Sequence, residues 1–376
     1  MLDVMSKSTI VMAFKELIDP RKNRNRLYSL QDIVCTAIMA TICSCNDYDE
    51  ISDWTDSHLD WLQSIGVCTE GSPSHDTYER FFRHLDSKQF QACFIKWTQI
   101  LKGILGKRIA IDGKTLCGSK DGTESALHLI SAFAAESSLV LGQLKTNGKG
   151  GELAGIQQLL EILDLKGAVI TIDAGGCHKV VTQKIIEKKG DYILCVKGNQ
   201  QKLHNELENF FMQAIVVEPV ESGCGYWSIE ENAKGRKEKR EVWTSGELDW
   251  LPQVNDWAGL QSIIAVRRRT LKGDKETIET RFFISSLPPE AEHQGNIIRG
   301  HWGIENGLHW QLDVTFREDL SRVRKGNGAE NLSVLRRSTL NILKSDKSSK
   351  KSLKRRRLQA SWDVDYLSKL MMDVNE

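Results

Sequence analysis

No apolar run in the sequence is long enough to cross a bilayer. The longest, Ile33 to Cys45, falls short of the roughly 20 residues that a spanning helix needs. The first residues are mixed and polar and lack the apolar core of a signal peptide. Net charge is almost absent, at +1 over 376 residues. The field of the whole molecule therefore gives no indication of a nucleic-acid partner, and any basic patch is local. The nine cysteines are odd in number and irregularly spaced, with Cys43-x-Cys45 the one close pair and no paired CxxC. This argues against a disulfide framework or a structural zinc, and for a reducing cytosol. No internal repeat is present.

What remains is a globular composition, 40% apolar and 27% charged, in a chain long enough for two or three domains. An entry segment ends in Asp19-Pro20-Arg21-Lys22, with further basic residues at Arg24 and Arg26; it reads as a charged loop or a DNA-backbone contact. Ser29 and Asp32 stand at capping-box spacing. They open a helix that turns Ile33, Val34, Ala37, Ile38 and Ile42 inward. Helices over 49–65, 75–85 (capped by Ser74) and 89–105 complete an N-terminal all-helical domain, residues 8–105. It is a DNA-binding module or a docking or dimer module.

The character changes at Gly106. Residues 106–213 give apolar strands at 108–112, 126–135, 138–145, 168–172 and 192–196, with helices at 152–163, 178–189 and 199–212. Hairpins first and crossovers later make this an α/β pattern. Residues 214–288 read as a strand-rich insertion with basic pieces at Lys234–Arg240 and Arg267–Arg269, closed by Pro288-Pro289. Residues 289–343 return to helix. Residues 344–376 form a basic tail and a short helix; Lys344 to Arg357 holds eight basic residues and one acid. Such runs are solvated and flexible, or grip phosphate.

The chemistry concentrates in three places. Asp112 and Asp173 each stand just past an apolar strand, with glycines following. Ends of strands in an open α/β sheet are where sites form, and glycines admit a close backbone or ligand. The third place is Arg299 to Asp319, dense in acids, His and Trp. As an α-helix it sets His301, Glu305, His309 and Asp313 four apart along one face. The plainer readings are that the two aspartates start turns, that Trp302 and Trp310 are core, and that Asp313 and Asp319 form surface ion pairs. A zinc site of His301, His309 and Glu305 is disfavoured by the oxygen-rich surroundings. Three converging carboxylates need a cation between them, and oxygen ligands select Mg2+ or Mn2+. Two such ions, about 3.5–4 Å apart, carry out in-line phosphoryl transfer. Of the basic residues, Lys114, Arg322, Arg324 and Lys325 are the candidates for facing DNA.

Ile109-Ala-Ile-Asp-Gly-Lys-Thr-Leu-Cys-Gly-Ser119, Val169-Ile-Thr-Ile-Asp-Ala-Gly-Gly-Cys-His-Lys179 and His301-Trp-Gly-Ile-Glu-Asn-Gly-Leu-His-Trp-Gln-Leu-Asp-Val-Thr-Phe-Arg-Glu-Asp319 resemble the three acidic blocks of the DDE transposases. The chain is similar almost end to end to the insertion-sequence group that includes the H-repeat-associated proteins of Rhs elements. That similarity takes in Asp19-Pro-Arg, Tyr28-Ser-Leu, Arg356-Arg357, Trp362-Asp363 and Tyr366-Leu367. It implies a ribonuclease-H-like core, with the insertion separating the second Asp from the Glu. It also implies a metal-binding triad of Asp112, Asp173 and Glu305 holding two Mg2+ or Mn2+, with His301, His309 and Asp313 as auxiliary groups. The implied function is metal-dependent cleavage at the element's terminal inverted repeats, followed by attack of the freed 3′-hydroxyl on target DNA. The implied setting is a homodimer on paired ends, cytoplasmic and nucleoid-associated. A domesticated metal-dependent nuclease and a catalytically inactive DNA-binding protein are the alternatives. The chain departs from the group at Cys117, where Arg is usual, at Gly175 and His178, and in the loop 146–151. Ile298, His301 and Leu312 stand where a Tyr, an Arg and a Lys flank the Glu in the wider group.

Overall fold

The structure, a computed structural model, describes residues 8–101, 107–120, 122, 125–216, 223–233 and 235–372. Gly106, where the sequence changes character, and Lys234, which opens one basic piece, lie outside the described residues. Helices α1 (Thr9–Ala13), α2 (Leu30–Ile42), α3 (Tyr48–Ser57), α4 (Leu59–Ser64), α5 (His75–His84) and α6 (Ser87–Ile100) come first. Strands β1 (Arg108–Leu116), β2 (Leu127–Ala134) and β3 (Leu139–Thr146) follow. Next come α7 (Glu152–Ile162), β4 (Val169–Ile172), α8 (Lys179–Glu187), β5 (Asp191–Val196) and α9 (Gln201–Val216). Strands β6 (Gly225–Ala233), β7 (Arg236–Ser245), β8 (Ser262–Lys272) and β9 (Lys275–Ser285) lead to α10 (Ala291–His301). Two π-helical turns, Glu305–His309 and Gln311–Thr315, precede α11 (Gly328–Ser345), α12 (Leu353–Trp362) and α13 (Val364–Met372). No helix among the described residues is long and apolar enough to cross a membrane.

The chain divides into two compact units that cut across the segments expected from sequence. One is Met1–Leu105, Gly113–Gly151 and Glu305–Glu376; the other is Gly106–Asp112 and Glu152–Ile304. The all-helical leader thus shares its unit with the β2–β3 hairpin and with everything after Ile304.

In the first unit the capping box forms as the sequence predicts. The Ser29 hydroxyl accepts from the Asp32 amide at 2.9 Å, and the Asp32 carboxylate accepts from the Ser29 amide. Ser74 takes the N-cap position of α5, but its hydroxyl meets that of Thr77 instead of a backbone amide. The organising element is α11, which is buried almost all round. Its Leu332, Leu335, Leu340 and Leu343 are apolar, yet Asn331, Arg336, Arg337 and Asn341 are buried with them. These polar groups reach the surrounding backbone. Asn331 donates to the carbonyls of Phe82 and Leu85, Arg336 to that of Asn46, and Asn341 exchanges two bonds with Val140 on β3. A helix of mixed sequence can be buried only where neighbours satisfy its polar atoms in this way. Arg337 pairs with Glu318 at 2.9 Å, both fully buried.

The second unit carries an α/β sheet. Its strand order is β1-β4-β5-β9-β8-β7-β6. β1, β4 and β5 are parallel, with Ile111 opposite Ile172 and Ile172 opposite Leu194. The right-handed preference of such units needs a crossover, and α8 supplies it between β4 and β5, burying Val181 and Ile185. β9 pairs antiparallel with β5, so the strand-rich stretch extends this sheet. The basic run Arg267–Arg269 is largely neutralised there. Arg267 and Arg269 reach Glu241, and Arg268 reaches Glu279.

Candidate active site

Parallel pairing brings Asp112 and Asp173 together. The parallel register runs as far as Ile111 opposite Ile172, and the next residue of each segment is an aspartate. Asp173 stands just past the end of β4. Asp112 lies within β1 and not at a strand end as the sequence suggests, because β1 runs on to Leu116 with Lys114 and Leu116 buried. Asp112 is half-buried and Asp173 exposed. Asp173 also starts a turn: its Oδ1 accepts from the Gly175 amide at 3.0 Å and caps the short turn Ala174–Gly176. That turn requires glycine, because a Cβ on Gly176 would stand 2.2 Å from Ile172 Cγ2. The plainer reading of Asp173 as a turn-starter and the chemical one coexist, since one carboxylate oxygen serves the cap.

Sequence reasoning missed three residues around this turn. Gly175 is bordered by the carboxylates of both Asp173 and Glu152, whose oxygens lie 3.2 and 3.0 Å from where its Cβ would be. Glu152 opens α7 directly after the glycine-rich loop, a position that reads as an ordinary first-turn acid. Asn199 donates to the carbonyls of Ala174 (2.7 Å) and Cys177, and Gln200 donates to Cys177. The sequence signal was Gly198-Asn-Gln directly after the end of an apolar strand.

His301 closes α10 beside β4. Its Nδ1 lies 2.9 Å from the Thr171 hydroxyl. Burial, together with Arg281, holds the imidazole below its ordinary pKa, against the opposing pull of Asp173. It is thus a neutral neighbour of Asp173. Trp302 follows, half-buried beneath the guanidinium groups of Arg281 and Arg268, 5.0 and 5.9 Å from its ring centre.

Glu305 is the first residue of the other compact unit after Ile304, and it is exposed. The α-helix expected around it is π-helical instead. Ile304, Leu308, Leu312 and Phe316 are all buried. A stripe repeating every four residues drifts on an α-helix and stays aligned on the wider π turn, a form concentrated at functional sites. Gly307 lets this segment approach the β2–β3 hairpin, since a Cβ there would stand 2.8 Å from Phe133 Cζ. His309 and Asp313, on the same segment, are half-buried.

Lys114 has a different task from the one expected. Its side chain is only 8% exposed, and Nζ stands 2.6 Å from Asp313 Oδ1 and 3.2 Å from Asp319 Oδ1. Burial alone would lower its pKa. The Asp313 hydrogen bond and the charges of Glu318, Asp313 and Asp319 raise it instead, so the ammonium persists. Lys114 is a structural cation that holds the segment after Glu305 to β1; two acids that attract it keep it from solvent.

Arg322 and Lys325 are exposed, and Arg324 is half-buried with Nε on the Gly118 carbonyl at 3.2 Å. All three line a cleft of about 620 Å³ with Arg83 and Arg317; Asp47, Asp49, Glu50 and Glu79 line it too. The cleft is therefore of mixed charge.

Among the described residues no group of three or more His, Cys, Asp or Glu side chains is placed to hold a metal ion. The donor chemistry around Asp112 and Asp173 is nonetheless that of a hard divalent cation. It consists of carboxylate oxygens without thiolates, and the Nδ1 of the adjacent imidazole is already engaged.

The family described as Transposase DDE domain matches residues 84–342, and the one described as DDE_Tnp_1-associated matches residues 11–98. The Escherichia coli O157:H7 protein YncI, provisionally named a transposase, is 37% identical over 99% of this chain and 96% of its own. The H repeat-associated protein YhhI of Escherichia coli K12, likewise provisionally named a transposase, is 37% identical over 92% of each chain. Among solved structures, the piggyBac transposase synaptic complex with hairpin DNA is similar with a TM-score of 0.43 at 11% identity, covering 98% of this chain and 78% of that one.

Proposed function

Since the chain belongs to the DDE transposase family, we propose that it cleaves phosphodiester bonds at the ends of a mobile element and joins the freed 3′-hydroxyl to target DNA. The observation that carries this reading is that Asp112 and Asp173 directly follow Ile111 and Ile172, the last paired residues of the parallel strands β1 and β4. In this proposal Glu305 supplies the third carboxylate. The three would hold Mg2+ or Mn2+, which when bound supply Lewis acidity and activate an attacking oxygen.

The remaining steps belong to the protein's own side chains. Asp173 keeps one oxygen in its cap bond, which fixes the direction of the other. Asn199 and Gln200 hold the turn that carries it. A neutral His301 adds no positive charge beside Asp173 to compete for its carboxylate. Glu152 adds negative charge at the same turn. Arg322 and Lys325 are the exposed candidates for phosphate, and a homodimer on paired ends follows from the same proposal. The ribonuclease-H-like reading of the core is supported by parallel β1, β4 and β5 in one unit and the β2–β3 hairpin in the other.

The test is nicking of supercoiled plasmid carrying the element's ends. Wild-type protein should nick in Mg2+ and not in EDTA, whereas Asp173→Ala and Glu305→Gln should leave the plasmid intact. Equal behaviour of wild type and both variants would end the catalytic reading.

A further inference from the structure

The basic run Lys344–Arg357, which by composition suits a solvated tail, is folded. Its organiser is Arg356. The guanidinium donates to four backbone carbonyls, those of Leu343 (2.6 Å), Asp346 (2.9 Å), Ser349 and Lys351 (3.0 Å). One side chain thus fixes the loop between α11 and α12. Arg357 beside it is 2% exposed and donates to the carbonyls of Thr41 and Thr315. These two arginines are structural.

Further cations line one recess. Lys350 and Lys351 on the clamped loop, Arg355 on α12 and Lys369 on α13 line a recess of about 510 Å³ with Ser349 and Tyr366. Among the described residues no carboxylate lines it. All four cations are exposed. Asp346, the one acid of the run, is occupied by the Tyr366 hydroxyl at 2.8 Å and by Ser348. Lys344, at the start of the same run, has its pKa drawn down to about 8 by burial and by the neighbouring charges of Lys347 and Arg356.

We propose that this recess grips the phosphodiester backbone of duplex DNA. The choice of polyanion rests on the function proposed above. The recess itself supports a phosphate backbone over a lipid surface. Its cations stand on a loop and helices that are already fixed, with hydroxyl and amide donors between them, which is how backbone contacts are made. Its lining holds no apolar side chain beyond the ring of Tyr366.

The measurement is binding of a fluorescein-labelled DNA duplex by anisotropy across a chloride series. Every protein carries Asp173→Ala, so that nothing is cut. The triple variant Lys350→Gln, Lys351→Gln, Arg355→Gln removes only exposed charge, and circular dichroism verifies its fold. The slope of log affinity against log salt should become shallower by about 2.7, at roughly 0.9 per lost phosphate contact. An unchanged slope would overturn the assignment. So would an effect of the variant on binding to phosphatidylglycerol vesicles with none on DNA. Nicking by the otherwise wild-type protein is read separately, so failure of the recess and failure of the catalytic reading are told apart.

Discussion

Lys114 Nζ stands 2.6 Å from Asp313 Oδ1, and through that contact β1 holds the segment that begins at Glu305. Asp319 and Glu318 share the same ammonium. Lys114→Met should leave Asp313 and Asp319 without their cation and destabilise the protein by about 1.5–3 kcal/mol, the range for hydrogen bonds to charged groups. Urea unfolding measures it. An unchanged midpoint would show that the acids are adequately solvated without Lys114.

A second tie lies just beyond β1. A Cβ on Gly118 would stand 2.3 Å from the Ser321 carbonyl and 2.6 Å from that of Asp319. Backbone cannot yield as a side-chain tip can, so Gly118→Ala should cost roughly 1–3 kcal/mol. Thermal unfolding should show the loss, and Gly122→Ala, where nothing lies within 4 Å but φ is positive, makes a useful comparison.

Asn199 tests positioning at Asp173. Asn199→Ala removes the bonds to the Ala174 and Cys177 carbonyls. Stability should fall by about 1 kcal/mol. Nicking should fall by more than that loss of folded protein explains, on the order of tenfold, because misplacement of a reacting group is costly. Loss of activity strictly in proportion to folded protein would remove the positioning role.

The buried pair of Glu318 and Arg337 gives an acid dependence. Burial would raise the Glu318 pKa, but the charges of Arg337, Arg336 and Lys114 and the Arg337 hydrogen bond together leave it lowered. A lowered carboxyl pKa stabilises the fold at all pH above the ordinary value of 4.5, and the contribution is lost as pH falls through the lower, folded value. Glu318→Gln should cost about 3–5 kcal/mol near neutrality. Its unfolding midpoint should depend less on pH in the acid range than that of the wild type.

Lys344 gives a dependence of the same sign in the alkaline range. Its folded pKa of about 8 lies below its ordinary 10.5, so the unfolded chain binds its proton more tightly. Stability should therefore rise as pH climbs from about 8 towards 10.5. Lys344→Met should flatten that rise and stabilise the protein at pH 7. A denaturation series in pH on both proteins checks it.

The parts of this molecule that were legible from sequence are those where one residue type has one physical use. The apolar run before Asp173 marked the end of β4, and Ser29 with Asp32 marked a helix start, whereas Asp112 looked like a strand end and lies inside β1, which continues to Leu116. The illegible parts are those where the partner is backbone or lies far along the chain. The four-residue repeat from Ile304 to Phe316 looks α-helical because composition does not distinguish a π turn. Lys114 looked like a residue facing DNA because the acids that bury it are on a distant segment. Arg356 was read as one more charge in a run, since its acceptors are carbonyls, which every residue has. The mixed sequence of α11 concealed a core helix, because its burial depends on pairs such as Asn341 with Val140.

The place of α11 has a consequence for synthesis. The helices that it joins, α2 to α6, leave the ribosome first, yet the scaffold to which Asn331 and Arg336 tie them is translated more than two hundred residues later. At about 5–20 residues per second that is an interval of roughly 10–50 s. Through that time the leader's inner face has no permanent partner, so chaperone dependence and loss of nascent chains should be greatest there. Premature stops upstream of Gly328 should yield insoluble product and not a free helical domain.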